Sequence, residues 1–121
     1  MEKLSIKDLI DRKDKISGRK RKKETIYVKD LGGEIEIIEP EKGVMADMND
    51  HSDGDAMLIA ECVVSPNLKS PELLKAYKCV TPIDLVHVMF RIGTIGKLSM
   101  RIVALAGFGN GSIRIVEDIK N

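Results

Sequence analysis

The chain has 121 residues and a formal net charge of +1, and 43% of its residues are apolar while only 3% are aromatic. This length suits one domain with a modest aliphatic core, and the small net charge argues against a surface devoted to nucleic acid or anionic membrane. The chain shows neither an apolar N-terminal segment nor a CxxC pair, so a reduced, cytoplasmic protein is predicted. Cys62 and Cys79 are interpreted as small buried hydrophobic residues.

The first predicted element is a helix within residues 1–18. Ser5 is the expected N-cap, Asp8 completes a capping box, and Gly18 is the expected end. An apolar stripe at helical spacing consists of Ile6, Leu9, Ile10 and Ile16.

A basic connector, residues 19–24, follows this helix. Eight basic residues lie between Arg12 and Lys23, whereas the stretch from Glu34 to Glu61 carries nine acidic residues. Clustered Lys and Arg bind phosphates by releasing counterions, but this run lacks interleaved aromatic residues for stacking single strands. It is therefore interpreted as a solvated, mobile connector, with partner docking or nucleic-acid binding as the alternative.

Residues 25–39 are predicted to form a β-hairpin whose turn is the dipeptide Gly32-Gly33. That register would place Val28 opposite Ile37 and Lys29 opposite Glu36. An isolated hairpin is marginal in water, so its apolar face must rest on helices. This face consists of Ile26, Val28, Ile35 and Ile37.

Residues 40–121 are predicted to be mainly helical, beginning with a weak helix over Glu41–Met48 that Gly43 interrupts. A second helix is expected over Asp55–Val64, ended by Ser65-Pro66. The chain is thus predicted to be a single α+β domain, residues 1–121, with an N-terminal helix, a hairpin and a cluster of short helices.

Two further helix starts are marked by a hydroxyl N-cap followed by proline, at Ser70-Pro71 and Thr81-Pro82. The first helix should place Leu73, Leu74 and Tyr77 inward. The second is apolar on nearly every side. A last helix is predicted over Thr94–Ala106 with Gly107 following it, and the segment Ser112–Asn121 fits either strand or helix.

No motif in the sequence assembles a catalytic or metal site. The loop Asn49–Asp55 fails the calcium-loop template, because Ala60 stands where a bidentate Glu is needed. The soft ligands are too widely separated for a structural zinc site. They are His51, Cys62, Cys79 and His87. A protein without enzymatic activity, metal or cofactor is therefore expected.

Three blocks of the sequence resemble the XkdN-type tail assembly chaperones of phages and prophages. They are YVKDLGGEIEI (Tyr27–Ile37), the stretch Glu61–Phe90, and VEDIKN (Val116–Asn121). The resemblance lies in the order of the blocks and carries no catalytic signature. It implies a chaperone that holds the tape measure protein soluble while tail tube subunits assemble around it.

The resemblance implies the tape measure protein, and also the tail tube protein, as partners in the bacterial host cytoplasm. The family offers no motif of contacting residues, so the predicted partner face comes from helical periodicity alone. It consists of Leu85, Val88, Met89, Phe90, Leu98 and Ile102. The alternative is that this apolar surface fills the core of the protein itself. The alternative function is a small nucleic-acid-binding or regulatory module that uses the run Arg19 to Lys23.

Overall fold

The structure is a computed structural model that describes residues 2–108 and 111–116. The helices are α1 (Ile6–Asp11), α2 (Lys13–Ser17), α3 (Lys42–Asp50), α4 (Gly54–Cys62), α5 (Pro71–Ala76), α6 (Pro82–Met89) and α7 (Ile92–Val103). A π-helical turn, Ala104–Phe108, continues α7. The strands are β1 (Lys23–Val28), β2 (Gly33–Ile38) and β3 (Val63–Ser65). The predicted α+β class is confirmed.

The N-terminal helix begins as predicted but is divided into two. Ser5 and Asp8 form the capping box, with each backbone N–H donating to the other's side chain at 2.8 and 3.1 Å. The chain leaves helical geometry at Arg12, and α2 then runs to Gly18. Neither α1 nor α2 buries a residue. The prediction of one continuous helix is therefore wrong. Short helices depend on packing for their stability, and these two pieces have little of it.

The hairpin forms as predicted, with a different register. Val28 pairs with Gly33, so Lys29–Gly32 make a four-residue loop and only Gly32 takes a positive φ, +68°. The predicted pairing of Val28 with Ile37 is wrong by four positions, as is that of Lys29 with Glu36. Because side chains alternate with a period of two, an even shift leaves the predicted apolar face intact. Val28, Ile35 and Ile37 are buried and Ile26 is half-buried.

A third strand, β3, replaces the last residues of the helix predicted over Asp55–Val64. Val63 pairs with Ile37 and Ser65 with Glu36, with an irregularity between the two pairs. The β-branched pair Val63-Val64 suits a strand better than a helix end. The order of the antiparallel sheet is β1-β2-β3, so β2 is its central strand.

Helix α4 lies at the centre of the hydrophobic core. Five of its nine residues are buried, and it packs against α3, α6 and α7 while leading directly into β3. The largest fully buried side chains come from β2, α4, α6, α7 and the loop that follows β3. They include Ile37, Leu58, Ile59, Leu68, Leu85, Val86 and Ile102.

The remaining helices differ from prediction in their details. Helix α3 passes through Gly43 without interruption and runs to Asp50. Helix α5 ends at Ala76, and Tyr77 at its C-cap is exposed rather than turned inward. Gly107 has φ +95°, the left-handed geometry that its predicted role requires. Residues 112–115 form neither helix nor strand, and residues 117–121 of the last predicted segment lie outside the described residues.

Candidate functional site

The six residues of the predicted partner face do not form one surface. Leu85 and Ile102 are fully buried, and Phe90 and Leu98 are each only 4% exposed. They pack in the core, because the apolar sides of α6 and α7 meet α4 and the sheet. Val88, 60% exposed, and the half-buried Met89 are the two that a partner can reach in this conformation.

Val88 and Met89 lie in a cleft between the end of α6 and the hairpin loop. The cleft has a volume of about 430 Å³, and Lys29, Asp30 and Arg91 also line it. Three charged side chains therefore line this cleft, and its surface is more polar than apolar. By itself this cleft is a poor match for a long apolar helix.

A more apolar groove lies on the other side of α7, where sequence reasoning placed no site. Its volume is about 350 Å³. We call it the apolar groove, and its lining residues are Met48, Asp55, Ser99, Met100, Val103, Ala104 and Phe108. Met100 and Phe108 are 74% and 69% exposed. Exposed apolar side chains gathered around a groove are typical of protein interaction sites.

The polar groups at the base of the apolar groove satisfy each other. The Ser99 hydroxyl, which is buried, donates to Asp55 Oδ1 at 2.8 Å. This bond joins the first turn of α4 to the middle of α7. Because the hydroxyl already has its partner, the groove offers mainly methionine, aliphatic and phenyl surface to a ligand.

The apolar groove could have been suspected from one signal in the sequence. Met100 lies on the opposite side of α7 from the buried Leu98 and Ile102, yet it is a large apolar residue. Phe108 gives no such signal, because its position depends on the π-helical turn that follows α7. Sequence periodicity selects the most apolar side of a helix, which is the side that the core takes up.

The basic connector is held in place at its C-terminal half. Arg21 Nε donates to the backbone oxygen of Glu39 at 2.8 Å, and its guanidinium lies 3.2 Å from the Glu41 carboxylate. The backbone N–H of Glu39 donates to the Lys22 oxygen at 2.7 Å. The prediction of a mobile connector therefore fails for Arg21 and Lys22, because these contacts continue the pairing of β1 with β2.

The soft ligands of the chain do not converge. Among residues 2–108 and 111–116, no three His, Cys, Asp or Glu side chains are placed to hold a metal ion. His87 Nε2 lies 2.6 Å from Asp53 Oδ2, and His51 Nδ1 accepts from the Asp53 backbone at 2.9 Å. Cys62 is a free thiol whose pKa is raised to about 11 by burial. The other thiol, Cys79, is half-buried.

In the described part of the chain, no helix has both the length and the apolar character needed to cross a membrane.

Searches of curated proteins and of solved structures returned no match. A family model described as phage XkdN-like tail assembly chaperone protein matches residues 19–120. The match includes the hairpin, all of the core and the apolar groove, and it leaves out α1 and α2. The chain belongs to the phage XkdN-like family of tail assembly chaperones.

Proposed function

We propose that this protein binds the tape measure protein of its phage and keeps it soluble during assembly of the tail tube. The observation that carries the proposal is the family match over residues 19–120, which supplies the process in which the protein acts. The function is binding and not catalysis, and it takes place in the cytoplasm of the bacterial host. The tail tube protein is a second candidate partner.

The apolar groove is the surface that we assign to the client. Met48, Met100 and Phe108 are the largest apolar side chains that line it. Methionine is unbranched and adapts to irregular partners, which suits a chaperone that must accept more than one segment of a long client. Burying Met100 and Phe108 under a client helix would contribute roughly 1.5–3 kcal/mol for each side chain.

An amphipathic helix fits the shape and chemistry of this groove. Such a helix presents apolar side chains at positions i, i+3, i+4 and i+7, which can lie between Met48 and Phe108 along α7. In a client chain that has not yet assembled, these side chains are the ones that promote aggregation. Covering them is the physical action that we propose for the chaperone.

The proposal is tested by co-expressing the tape measure protein of the same phage with variants of this chain and measuring co-purification. The double variant Met100→Asp/Phe108→Asp places two charges in the apolar groove at positions that are exposed, so the fold should survive. Its expected result is a loss of bound tape measure protein of at least about tenfold, since a charge buried against an apolar helix is poorly tolerated.

Two single variants complete this experiment, one as a control and one as a test of the other candidate surface. Val80→Asp changes an apolar side chain that is 87% exposed and does not line the apolar groove, and it should bind normally. Val88→Asp tests the accessible part of the face predicted from periodicity. If Val88→Asp abolishes binding and the groove variant does not, the client lies at the hairpin cleft. If all variants bind equally, the assignment of these surfaces is wrong.

A further inference from the structure

A second and larger groove lies between the basic connector and the π-helical turn. Its volume is about 1080 Å³. We call it the basic groove, and its lining residues are Ile16, Ser17, Arg19, Lys20, Arg21, Lys22, Glu39, Lys42, Leu105, Ala106, Gly107 and Ser112. It shares no residue with the apolar groove, so it is a separate feature of the molecule.

The charge of the basic groove is strongly one-sided. Five of its lining side chains are cationic, and Glu39 is the single carboxylate among them. Arg21 is paired with Glu41. In contrast, Lys20, Lys22 and Lys42 take part in no ion pair with any residue that the structure describes. Within the described part of the chain, the groove therefore carries several cations that have no ion-pair partner, although the whole chain is nearly neutral.

Apolar side chains lie next to these charges. Ile16, Leu105 and Ala106 are the apolar residues of its lining. Ile16 belongs to the apolar stripe of α1 and α2, whose members are all exposed: Ile6, Leu9, Ile10 and Ile16. A ligand in this groove would therefore meet positive charge and aliphatic surface together. This combination is complementary to a helix with acidic residues on one side and apolar residues on the other.

The size of the groove agrees with such a ligand. A helix with side chains has a diameter of about 10–12 Å and rises 1.5 Å per residue, so the groove volume of about 1080 Å³ corresponds to roughly six to nine helical residues. That length is about two helical turns. It is enough to place two acidic positions and two apolar positions in the groove at once.

We propose that the basic groove binds an acidic amphipathic helix of a partner protein. Nucleic acid is less well matched, because the groove has aliphatic walls and no aromatic residue for stacking bases. A second copy of this chain, joined through the same face, would bring the same cations together. The basic groove shares no lining residue with the apolar groove, so binding at the two sites can be tested separately.

The test uses fluorescence anisotropy with the full chain and synthetic 14-residue helical peptides. The probe carries Leu at positions i, i+3, i+4 and i+7 and Glu on the flanking positions. Controls are a scrambled peptide of the same composition and a peptide with Lys in place of Glu. Saturable binding of the Glu probe, at least about fivefold tighter than that of either control, is expected.

The variant Lys20→Glu/Lys22→Glu should lose binding of the Glu probe and gain binding of the Lys peptide. Its matched control is Lys13→Glu/Lys15→Glu, which changes the net charge of the chain by the same amount. These two residues lie on α2 and do not line the groove, so this variant should bind the Glu probe like the original chain. Circular dichroism would verify that both variants fold. Equal losses in the two variants would show general charge attraction and overturn the proposal.

Three further measurements separate other occupants of the groove. Tighter binding of a 20-nucleotide single-stranded DNA than of the Glu probe would assign the groove to nucleic acid. Preferential binding to vesicles with anionic lipids would assign it to a membrane surface. A dimer seen by light scattering and lost in Lys20→Glu/Lys22→Glu would assign it to a second copy. Each of these results overturns the proposal, as does the absence of probe binding up to millimolar peptide.

Discussion

The carboxylate of Asp30, in the hairpin loop, accepts a hydrogen bond of 2.8 Å from the backbone N–H of Arg91. Arg91 is the N-cap residue of α7, and its own side chain makes no capping bond. Asp30 therefore caps a helix whose N-cap residue lies 61 residues later in the chain. This contact joins the hairpin loop to the helix whose other side lines the apolar groove.

Replacing Asp30 with Ala should lower the thermal stability of the protein at neutral pH. The pKa of Asp30 is lowered from its ordinary value of 3.8, chiefly by the hydrogen bond from the Arg91 backbone and then by that from Thr94. A carboxylate whose pKa is lower in the folded protein than in the unfolded chain stabilises the folded state at every pH above the unfolded-chain pKa. This stabilisation is lost as the pH falls through the pKa of the folded state. The Tm difference between the two proteins should therefore be constant from pH 7 to about 5 and shrink below about 4.

Asp30→Asn is the matched control, because it keeps an acceptor and removes the charge. Its Tm at pH 7 should lie between those of the original chain and the Ala variant, and it should show less pH dependence. An Ala variant with an unchanged Tm at pH 7, or a Tm difference that does not begin to shrink as the pH falls below about 4, would contradict the assignment of Asp30 as a helix cap.

The two thiols should differ greatly in reactivity. At pH 8 a thiol with a pKa near 11, as for Cys62, is about one part in a thousand thiolate, and the Cys62 side chain is also fully buried. With a disulfide reagent, Cys79 should therefore react rapidly and Cys62 only at the rate of unfolding. A Cys79→Ser variant should show no fast phase in the native state and full labelling in denaturant. Fast labelling of this variant in the native state would contradict the packing around α4.

Two apolar residues of α7, Ile102 and Met100, should differ strongly in how much their truncation to Ala destabilises the protein. Ile102 is fully buried, so Ile102→Ala should reduce the free energy of unfolding by about 2–5 kcal/mol. Met100 is 74% exposed, so Met100→Ala should change it by less than about 0.5 kcal/mol. Urea denaturation followed by circular dichroism measures both values. Similar losses in the two variants would mean that Met100 belongs to the core and not to the apolar groove.

The elements that the sequence predicted well are those with strong local signals. The capping box at Ser5, the hydroxyl-proline starts of α5 and α6, and the inward face of the hairpin all appear in the structure. The turn was less well determined, because Gly32 and Gly33 both permit a positive φ and only Gly32 adopts one. Strand β3 was missed, since three residues are too few to show an alternating pattern.

The candidate site was harder to predict than the fold for a physical reason. Periodicity identifies the apolar side of a helix but does not say whether the core or a partner covers it. In α6 and α7 the core covers it, which is why Leu85, Leu98 and Ile102 are buried. The apolar groove depends instead on where α3, α7 and the π-helical turn meet. That meeting follows from long-range packing, which a single sequence does not display.

Client binding by this chain should be visible as a change in the solubility of the tape measure protein, co-expressed with and without the chain. After centrifugation, tape measure protein should be in the supernatant with the original chain and with Val80→Asp. It should be in the pellet with Met100→Asp/Phe108→Asp or with no chaperone. Tape measure protein that is equally soluble in all four samples, or equally insoluble, would contradict the account.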